Sequence, residues 1–201
     1  MKTCFVVTIT DKKIEPTIAS ILNNTKEPDY ILYIAKEPLS DSYLKIMNAS
    51  ISSCCGNSIN KNESESYTVT LSDKIGLLEN RNLSYQDLNY KIFEILKSLD
   101  IEVFFTSKLG QIFDSTYIQK CLNILTDNSY GAVYTDYIKD SKLEILKSIN
   151  ILLNTPIAIE EFCMRMSCFD SNTNVYDGFE TLSNIYKNRV ISHIPENLYT
   201  L

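Results

Sequence analysis

Residues 4–35 read CFVVTITDKKIEPTIASILNNTKEPDYILYIA, and this stretch decides the fold of the chain. Residues 4–10 form a continuous apolar run rich in β-branched side chains, which is typical of a strand covered on both faces. Isoleucines then recur at helical spacing over residues 14–22. A second apolar run follows at residues 29–35. The pattern predicts a buried strand, a helix and a second buried strand.

The same alternation continues along the chain. Further strands are predicted at residues 67–71, 102–106, 131–137 and 190–194, the last closed by Pro195. Further helices are predicted from about Ser84 to Leu99, after a capping Asp114 up to Leu125, and over residues 178–186. This order predicts one α/β domain over residues 1–201, with a mostly parallel central sheet and helices on both faces.

Three stretches interrupt the regular pattern. Residues 39–49 have a weaker helical pattern, and residues 143–153 suit a strand followed by the start of a helix. Residues 50–66 are polar throughout, and we expect them to form a mobile loop.

Composition excludes several classes of partner. The net charge of −6 and the pI of about 4.9 leave no dense basic face for nucleic acid. No apolar run approaches the ~20 residues that span a bilayer, so no membrane span is predicted.

The opening MKTCFVVTIT is predicted as a strand and not as a signal peptide, so we expect a cytoplasmic protein. The six cysteines form no C-x-x-C pair and there is a single histidine, which argues against zinc.

Several segments resemble the family-2 glycosyltransferases of the GT-A fold. VVTIT, EPTIASILNNT and DYILYIA are similar to the opening strand, helix and strand of that family. GLLENRN at residues 76–82 resembles its Gly-x-x-x-x-Arg-Asn stretch, and GAVYTDY at 131–137 its Tyr-x-Asp-Tyr. FETLSNIYKNRVISHIPENLY at 179–199 resembles its closing helix, strand and Ile-Pro-Glu-x-Leu-Tyr. The resemblance covers nearly the whole chain and implies a Rossmann-related GT-A domain with a nucleotide-sugar ligand.

The resemblance also shows what is missing. The family holds Mn²⁺ or Mg²⁺ with an Asp-x-Asp or Asp-Asp after its fourth strand, and the metal offsets the charge of the leaving diphosphate. Residues 106–110 read TSKLG at that place, so no metal cofactor is expected. Lys108 is either a solvated loop lysine or a cation that takes over part of the metal's role.

A general base for the acceptor hydroxyl is also in doubt. The family carries it in an acidic stretch that opens the last long helix. The nearest match here, Asp177-Gly178-Phe179-Glu180, puts Gly178 where the base would stand. Asp177 is a catalytic candidate in a shifted register; otherwise it is the N-cap of the helix.

Six residues are candidates for nucleotide binding from the resemblance and from their places after strands: Thr10, Asp11, Glu37, Arg81, Lys108 and Asp136. Each has a plainer interpretation. Asp11 suits an exposed turn, Arg81 a surface ion pair with Glu79 or Asp87, and Asp136 a structural role. Tyrosines could form a sugar platform or simply pack in the core: Tyr130, Tyr134, Tyr137, Tyr176 and Tyr199.

These observations leave three hypotheses. In the first, the GT-A domain is degenerate and non-catalytic, and serves as a binding or structural component among protein partners in an assembly. A small copy of this kind would suit a virus or phage, in the host cytoplasm or the virion. In the second, it is an active, metal-independent glycosyltransferase. In the third, it is an unrelated nucleotide-binding α/β protein, although the sequence has no glycine-rich phosphate loop.

Overall fold

A computed structural model describes residues 1–10, 13–41, 43, 45, 60–144, 159, 161–170 and 173–201. Asp11, most of the weak helical stretch 39–49 and residues 145–153 lie outside the described residues. Within the part of the chain that is covered, no helix is both long and apolar enough to cross a bilayer.

The strands and helices follow the predicted alternation. The strands are β1 Thr3–Thr8, β2 Tyr30–Ala35, β3 Asn60–Glu63, β4 Tyr67–Leu71, β5 Ile75–Asn80, β6 Val103–Lys108, β7 Ile112–Phe113, β8 Tyr130–Lys139, β9 Lys142–Glu144, β10 Cys163–Arg165 and β11 Val190–Thr200. The helices are α1 Ile14–Leu22, α2 Tyr85–Ser98, α3 Tyr117–Leu125 and α4 Gly178–Tyr186, with a 3₁₀ turn at Met166–Cys168.

One sheet joins these strands in the order β3-β4-β5-β2-β1-β6-β10-β8-β11-β7, with β9 beside β8. β5, β2, β1 and β6 are parallel to one another, and β11 is parallel to β8. β10 is antiparallel to both β6 and β8, so β8 runs in the same direction as β6. The carboxyl ends of β1, β2, β5, β6, β8 and β11 therefore lie at one edge. The predicted α/β class with a mostly parallel sheet is confirmed.

Successive phenylalanines of β6 show how helices cover both faces of the sheet. Phe105 stacks on Phe5 at 4.9 Å and contacts Tyr117 of α3 at 5.7 Å, measured between ring centroids. Phe104 points the opposite way, with its centroid 5.6 Å from that of Phe169. Phe169 in turn contacts Phe93 of α2 at 5.1 Å. Because side chains alternate along a strand, one apolar pair of residues anchors α3 on one face and α2 on the other.

The structure corrects the prediction at three strands. The strand at 67–71 forms, but as antiparallel β4, and the parallel neighbour of β2 is β5, which was not predicted as a strand. The expected loop at 50–66 includes β3 where it is described, at Asn60–Glu63. β11 does not end at Pro195, because a register shift between Ile194 and Asn197 takes the proline out of the ladder and lets the strand continue.

Asp114 stabilises the turn that leads into α3. Its Oδ1 accepts hydrogen bonds from the backbone N of Thr116 at 2.8 Å and from the Thr116 hydroxyl. The helix itself starts at Tyr117, with Thr116 at the N-cap position. The prediction of Asp114 as the N-cap is therefore wrong: Asp114 lies two residues before the observed N-cap, Thr116, and stabilises the turn that approaches the helix.

Candidate functional site

The carboxyl edge of the sheet is where a fold of this kind binds ligands. The loops after β1, β2, β5 and β6 lie there. α4 precedes β11, which is parallel to β8, so the N-terminal end of α4 also lies at this edge. One contact joins the loop after β2 to the segment before α4: the Nζ of Lys36 lies 4.0 Å from the ring centroid of Tyr176.

The ends of β1 and β6 are joined, which brings Thr10 close to the turn that contains Lys108. Thr10 Oγ1 donates to the carbonyl of Leu109 at 3.1 Å, and the Leu109 N–H donates to the carbonyl of Thr8 at 3.0 Å. Thr8 and Lys108 are direct register partners, and Lys108 is half-buried. Two of the predicted candidates therefore lie side by side. Asp11, between α1 and this contact, is outside the described residues.

A buried polar pair supports the turn after β6. The Lys108 N–H donates to Oε1 of Gln111 at 2.7 Å, and Nε2 of Gln111 donates to the carboxylate of Glu161. Gln111 is 2% exposed and Glu161 1%. Gly110 completes the turn with φ of 100°, a conformation that favours glycine. Nothing local in the sequence connects Gln111 with Glu161, which explains why sequence reasoning missed both.

The described residues do not fit a divalent metal at this position. Mg²⁺ and Mn²⁺ take hard oxygen ligands, usually carboxylates. Within the described ranges no three His, Cys, Asp or Glu side chains cluster so that they could hold a metal ion. Lys108 stands at the end of β6, and the buried carboxylate of Glu161 is bonded to Gln111.

The ammonium of Lys36 contacts the rings of two tyrosines, Tyr85 and Tyr176. Its Nζ donates to the Tyr85 hydroxyl at 3.1 Å and lies 5.4 Å from the Tyr85 ring centroid. The rings of Tyr85 and Tyr176 meet edge to face at 5.3 Å. Burial raises the pKa of Tyr176, so this residue is a neutral phenol at physiological pH. The end of β2 thus presents a cation held between aromatic rings.

Glu37, the predicted candidate next to Lys36, is exposed and makes no hydrogen bond or ion pair with the described residues. Its neighbour across the edge, Glu79, behaves differently. Glu79 is 4% exposed, and its Oε1 accepts the Leu39 N–H at 2.9 Å. The acidic side chain fixed at this point of the edge is therefore the one from β5, which was not among the predicted site residues.

Arg81 forms an ion pair with Glu79, one of the two partners, Glu79 and Asp87, that its plainer interpretation named. Nη2 of Arg81 lies 3.8 Å from Oε2 of Glu79, and the arginine side chain is 41% exposed. At this length and exposure the pair contributes little to stability. The guanidinium remains at the carboxyl edge, one residue beyond the end of β5.

Asp136 lies on β8 and pairs with His193, the only histidine of the sequence. Its Oδ1 is 2.7 Å from Nε2 of His193, and the two side chains are 5% and 16% exposed. The His193 ring stacks on Tyr134 at 4.8 Å. In the sheet, β6 and β10 lie between β8 and β1, and β10 alone lies between β8 and β6, the strand that ends at Lys108.

The start of α4 is built around Asp177 and Gly178. Asp177 is the N-cap, and its Oδ1 accepts the Glu180 N–H at 2.9 Å. A Cβ on Gly178 would lie 2.5 Å from the carbonyl oxygen of Ile159 and 3.1 Å from Phe162 Cδ1. The position where the resemblance puts the base therefore has no room for a side chain unless the backbone shifts.

Of the five tyrosines considered for a sugar platform, three pack in the core. Tyr134, Tyr137 and Tyr199 are 1%, 5% and 2% exposed, and Tyr137 stacks on Tyr199 at 5.3 Å. Tyr176 lies at the edge beside Lys36.

No protein-family model matches the chain, and no curated protein sequence matches it. Solved structures do. S. aureus TarS 1–349 in complex with UDP aligns with a TM-score of 0.61 at 12% identity, over 100% of this chain and 60% of that one. The same protein in complex with UDP-GlcNAc gives 0.65 at 11% identity, over 100% and 58%. The chain spans about 60% of the length of these structures, and at this identity the likeness is one of fold: the chain has a GT-A-like α/β fold.

Proposed function

We propose that this chain is a GT-A-like domain that binds a nucleotide sugar at the carboxyl edge without a divalent metal, and that it does not catalyse transfer. The fold supports a nucleotide-sugar ligand, since similar solved structures were obtained in complex with UDP and UDP-GlcNAc. The residues at the carboxyl edge support the two other parts of the proposal, binding without a divalent metal and the lack of catalysis.

The observation that carries the proposal is the start of α4. A general base must come within hydrogen-bond reach of the hydroxyl that it deprotonates. Gly178 offers no side chain and no room for one, because its Cβ would meet the Ile159 carbonyl. Asp177 is the next acid, and its Oδ1 is bonded to the Glu180 N–H. Turning Asp177 toward a substrate would forfeit that cap, which is worth about 1 kcal/mol.

The diphosphate would meet protein cations in place of a metal. Lys108 stands at the end of β6, and Lys36 and Arg81 stand at the ends of β2 and β5. A lysine ammonium can bind phosphate as a point charge, and an arginine can bind it through two parallel hydrogen bonds. These three groups supply positive charge along the part of the edge that lies between β5 and β6.

Donor turnover tests the non-catalytic claim. The purified chain is incubated with UDP-GlcNAc, with Mn²⁺ or with EDTA, and UDP release is followed. We expect no release above the protein-free control in either condition. UDP release that scales with protein concentration would contradict the proposal.

An active, metal-independent transferase is the second candidate. It is favoured by Lys108, which is half-buried next to the end of β1, where it could offset charge on a leaving diphosphate. If turnover is seen, the Asp177→Asn and Lys108→Ala variants separate the two candidates. Loss of turnover in both variants supports this second candidate, and unchanged turnover in both removes the roles assigned to these residues.

A domain without turnover acts by binding, so the proposal includes a protein assembly as its setting. We expect the native protein to co-purify with a partner in fixed stoichiometry. Light scattering of the protein isolated from its own source measures this. A monomer without any stoichiometric partner would contradict this part of the proposal.

A further inference from the structure

A cleft of about 740 Å³ lies between α2 and the segment that leads into α4. It begins at Tyr85, beside the carboxyl edge, and continues along α2 to Phe93 and Phe169, on the face of the sheet that Phe104 points to. A volume of about 300–1,000 Å³ is the usual size for a small-molecule site. The cleft is distinct from the edge where the nucleotide is proposed to bind, and the two adjoin at Tyr85.

Aromatic rings form one wall of the cleft. Tyr85 and Tyr90 are 56% and 62% exposed, which is unusual for large rings. The ring of Phe93 lies 6.4 Å from that of Tyr90 and 5.1 Å from that of Phe169. Exposed aromatic side chains grouped in one concave surface mark a binding site more often than isolated ones do.

The charged side chains in the described lining of the cleft are all acidic. Asp87, Asp170 and Glu180 line the cleft, and its described lining includes no lysine or arginine. The negative charge disfavours phosphates and nucleotides. Each carboxylate already has a partner nearby: the Ser84 hydroxyl for Asp87, the Thr173 hydroxyl for Asp170 and the Asn174 amide for Glu180. These contacts hold the acids in place, and each carboxylate can accept further hydrogen bonds.

Asn89 adds a donor that the protein leaves unused. It lines the cleft and is 9% exposed. Its Oδ1 accepts the Val175 N–H at 3.3 Å, while its Nδ2 makes no hydrogen bond within the described part of the chain. Nδ2 of Asn89 is a hydrogen-bond donor in the lining of the cleft, and a ligand oxygen bound there can accept from it.

We infer that this cleft binds a neutral glycan. A pyranose ring has an apolar face of C–H bonds that packs on aromatic rings such as Tyr90 and Tyr85. Its hydroxyls both donate and accept, so they can donate to the three carboxylates and accept from Asn89 Nδ2. A lysine-rich peptide would also pair with the acids, but the neutral amides and hydroxyl of the lining, Gln86, Asn174 and Thr173, suit sugar hydroxyls, which both donate and accept, better than ammonium groups, which only donate. The inference does not depend on nucleotide binding at the sheet edge.

The test is an array of neutral glycans probed with the full chain, followed by calorimetric titration of the strongest binder. Tyr90→Ala is the diagnostic variant, because Tyr90 is too exposed to be needed for folding. Tyr186→Ala is the matched control, an exposed tyrosine of α4 that does not line the cleft. We expect Tyr90→Ala to weaken glycan binding by about tenfold or more and Tyr186→Ala to leave it unchanged. UDP binding, measured in parallel, should be the same in both variants.

Three results would overturn the inference. The first is that the folded chain binds no neutral glycan on the array. The second is that Tyr90→Ala, folded by circular dichroism, binds the glycan as tightly as the unaltered chain. The third is that only lysine-rich peptides bind, and that Glu180→Gln abolishes their binding. A chain that binds a glycan but not UDP would contradict the proposed function and leave this inference standing.

Discussion

The ammonium of Lys36 lies 4.0 Å from the ring centroid of Tyr176, and this contact joins the end of β2 to the start of α4. The two residues are far apart in the sequence, and Tyr85 at the start of α2 completes the contact from a third element. One side of the carboxyl edge is therefore held together by a cation between two aromatic rings.

Lys36→Met tests this contact through stability. Removing the ammonium while keeping an apolar side chain should lower the free energy of unfolding by about 1 kcal/mol, the usual size of a partly buried cation–π contact. Urea unfolding measures the change. Lys97→Met is the control, because the ammonium of Lys97 lies farther from its ring, 5.8 Å from the centroid of Phe93. Equal effects of the two variants would contradict a specific role for Lys36.

Tyr176→Phe should not destabilise the protein. The Tyr176 hydroxyl is buried and makes no hydrogen bond with the described residues, while its ring makes the contacts to Lys36 and Tyr85. Removing a buried, unpaired hydroxyl can raise stability by up to about 1 kcal/mol. Thermal unfolding checks this. A clear loss of stability would mean that the hydroxyl has a partner after all.

Gly178→Glu should not create a working base. The Cβ of any side chain at this position meets the Ile159 carbonyl at 2.5 Å, so the backbone has to shift. We expect a loss of about 1–3 kcal/mol, as for other overpacked sites, and no UDP release from UDP-GlcNAc. Asp177→Ala, which loses only the cap, should cost about 1 kcal/mol in the same unfolding assay. A Gly178→Glu protein of unchanged stability would contradict the packing argument.

Asp114 should make stability depend on pH at the acidic end. The hydrogen bonds from the Thr116 hydroxyl and backbone N–H lower the pKa of Asp114 below its ordinary value. A lowered folded-state pKa means that the contribution is fully present above the unfolded pKa of about 3.9 and is lost as the pH falls through the folded pKa. Asp114→Asn should therefore be less stable than the unaltered chain at about pH 7 and about pH 5, by similar amounts, and the gap should narrow at about pH 3. Urea unfolding at the three pH values measures it.

Glu37→Gln is the control for that series. Glu37 is exposed and has no hydrogen bond or ion pair with the described residues, so the variant should match the unaltered chain at every pH. A gap for Asp114→Asn that does not change with pH would contradict the assigned hydrogen bonds.

Local patterns predicted the local structure well. The spacing of apolar residues predicted α1 and α4 at their observed bounds, and Asp177 as the N-cap of α4 is a feature of a few adjacent residues. β5 was missed because Gly76, Glu79 and Asn80 interrupt its apolar run. Glu79 is tolerated inside the sheet because the Leu39 N–H bonds to it, a contact that no local pattern indicates.

The site was harder to predict, because the contacts that fix it join distant segments and no local pattern indicates them. Thr10, Lys108 and Arg81 follow strands, and the parallel sheet brings such residues to one edge. The partners that fix this edge come from distant segments: Tyr176 for Lys36 and Glu161 for Gln111. Their pairing depends on tertiary packing, because neither residue of a pair has a distinctive sequence context. The roles in nucleotide binding of Thr10, Asp11, Glu37, Arg81, Lys108 and Asp136 stay predictions.

Calorimetric titration with UDP, in Mn²⁺ and in EDTA, tests the central claim most directly. We expect the same dissociation constant in both conditions. Lys108→Ala should weaken binding by about tenfold, and the control Lys187→Ala, at the far end of α4, should not change it. Binding that appears only with Mn²⁺, or no binding of UDP by the folded chain, would contradict a nucleotide site built on protein cations.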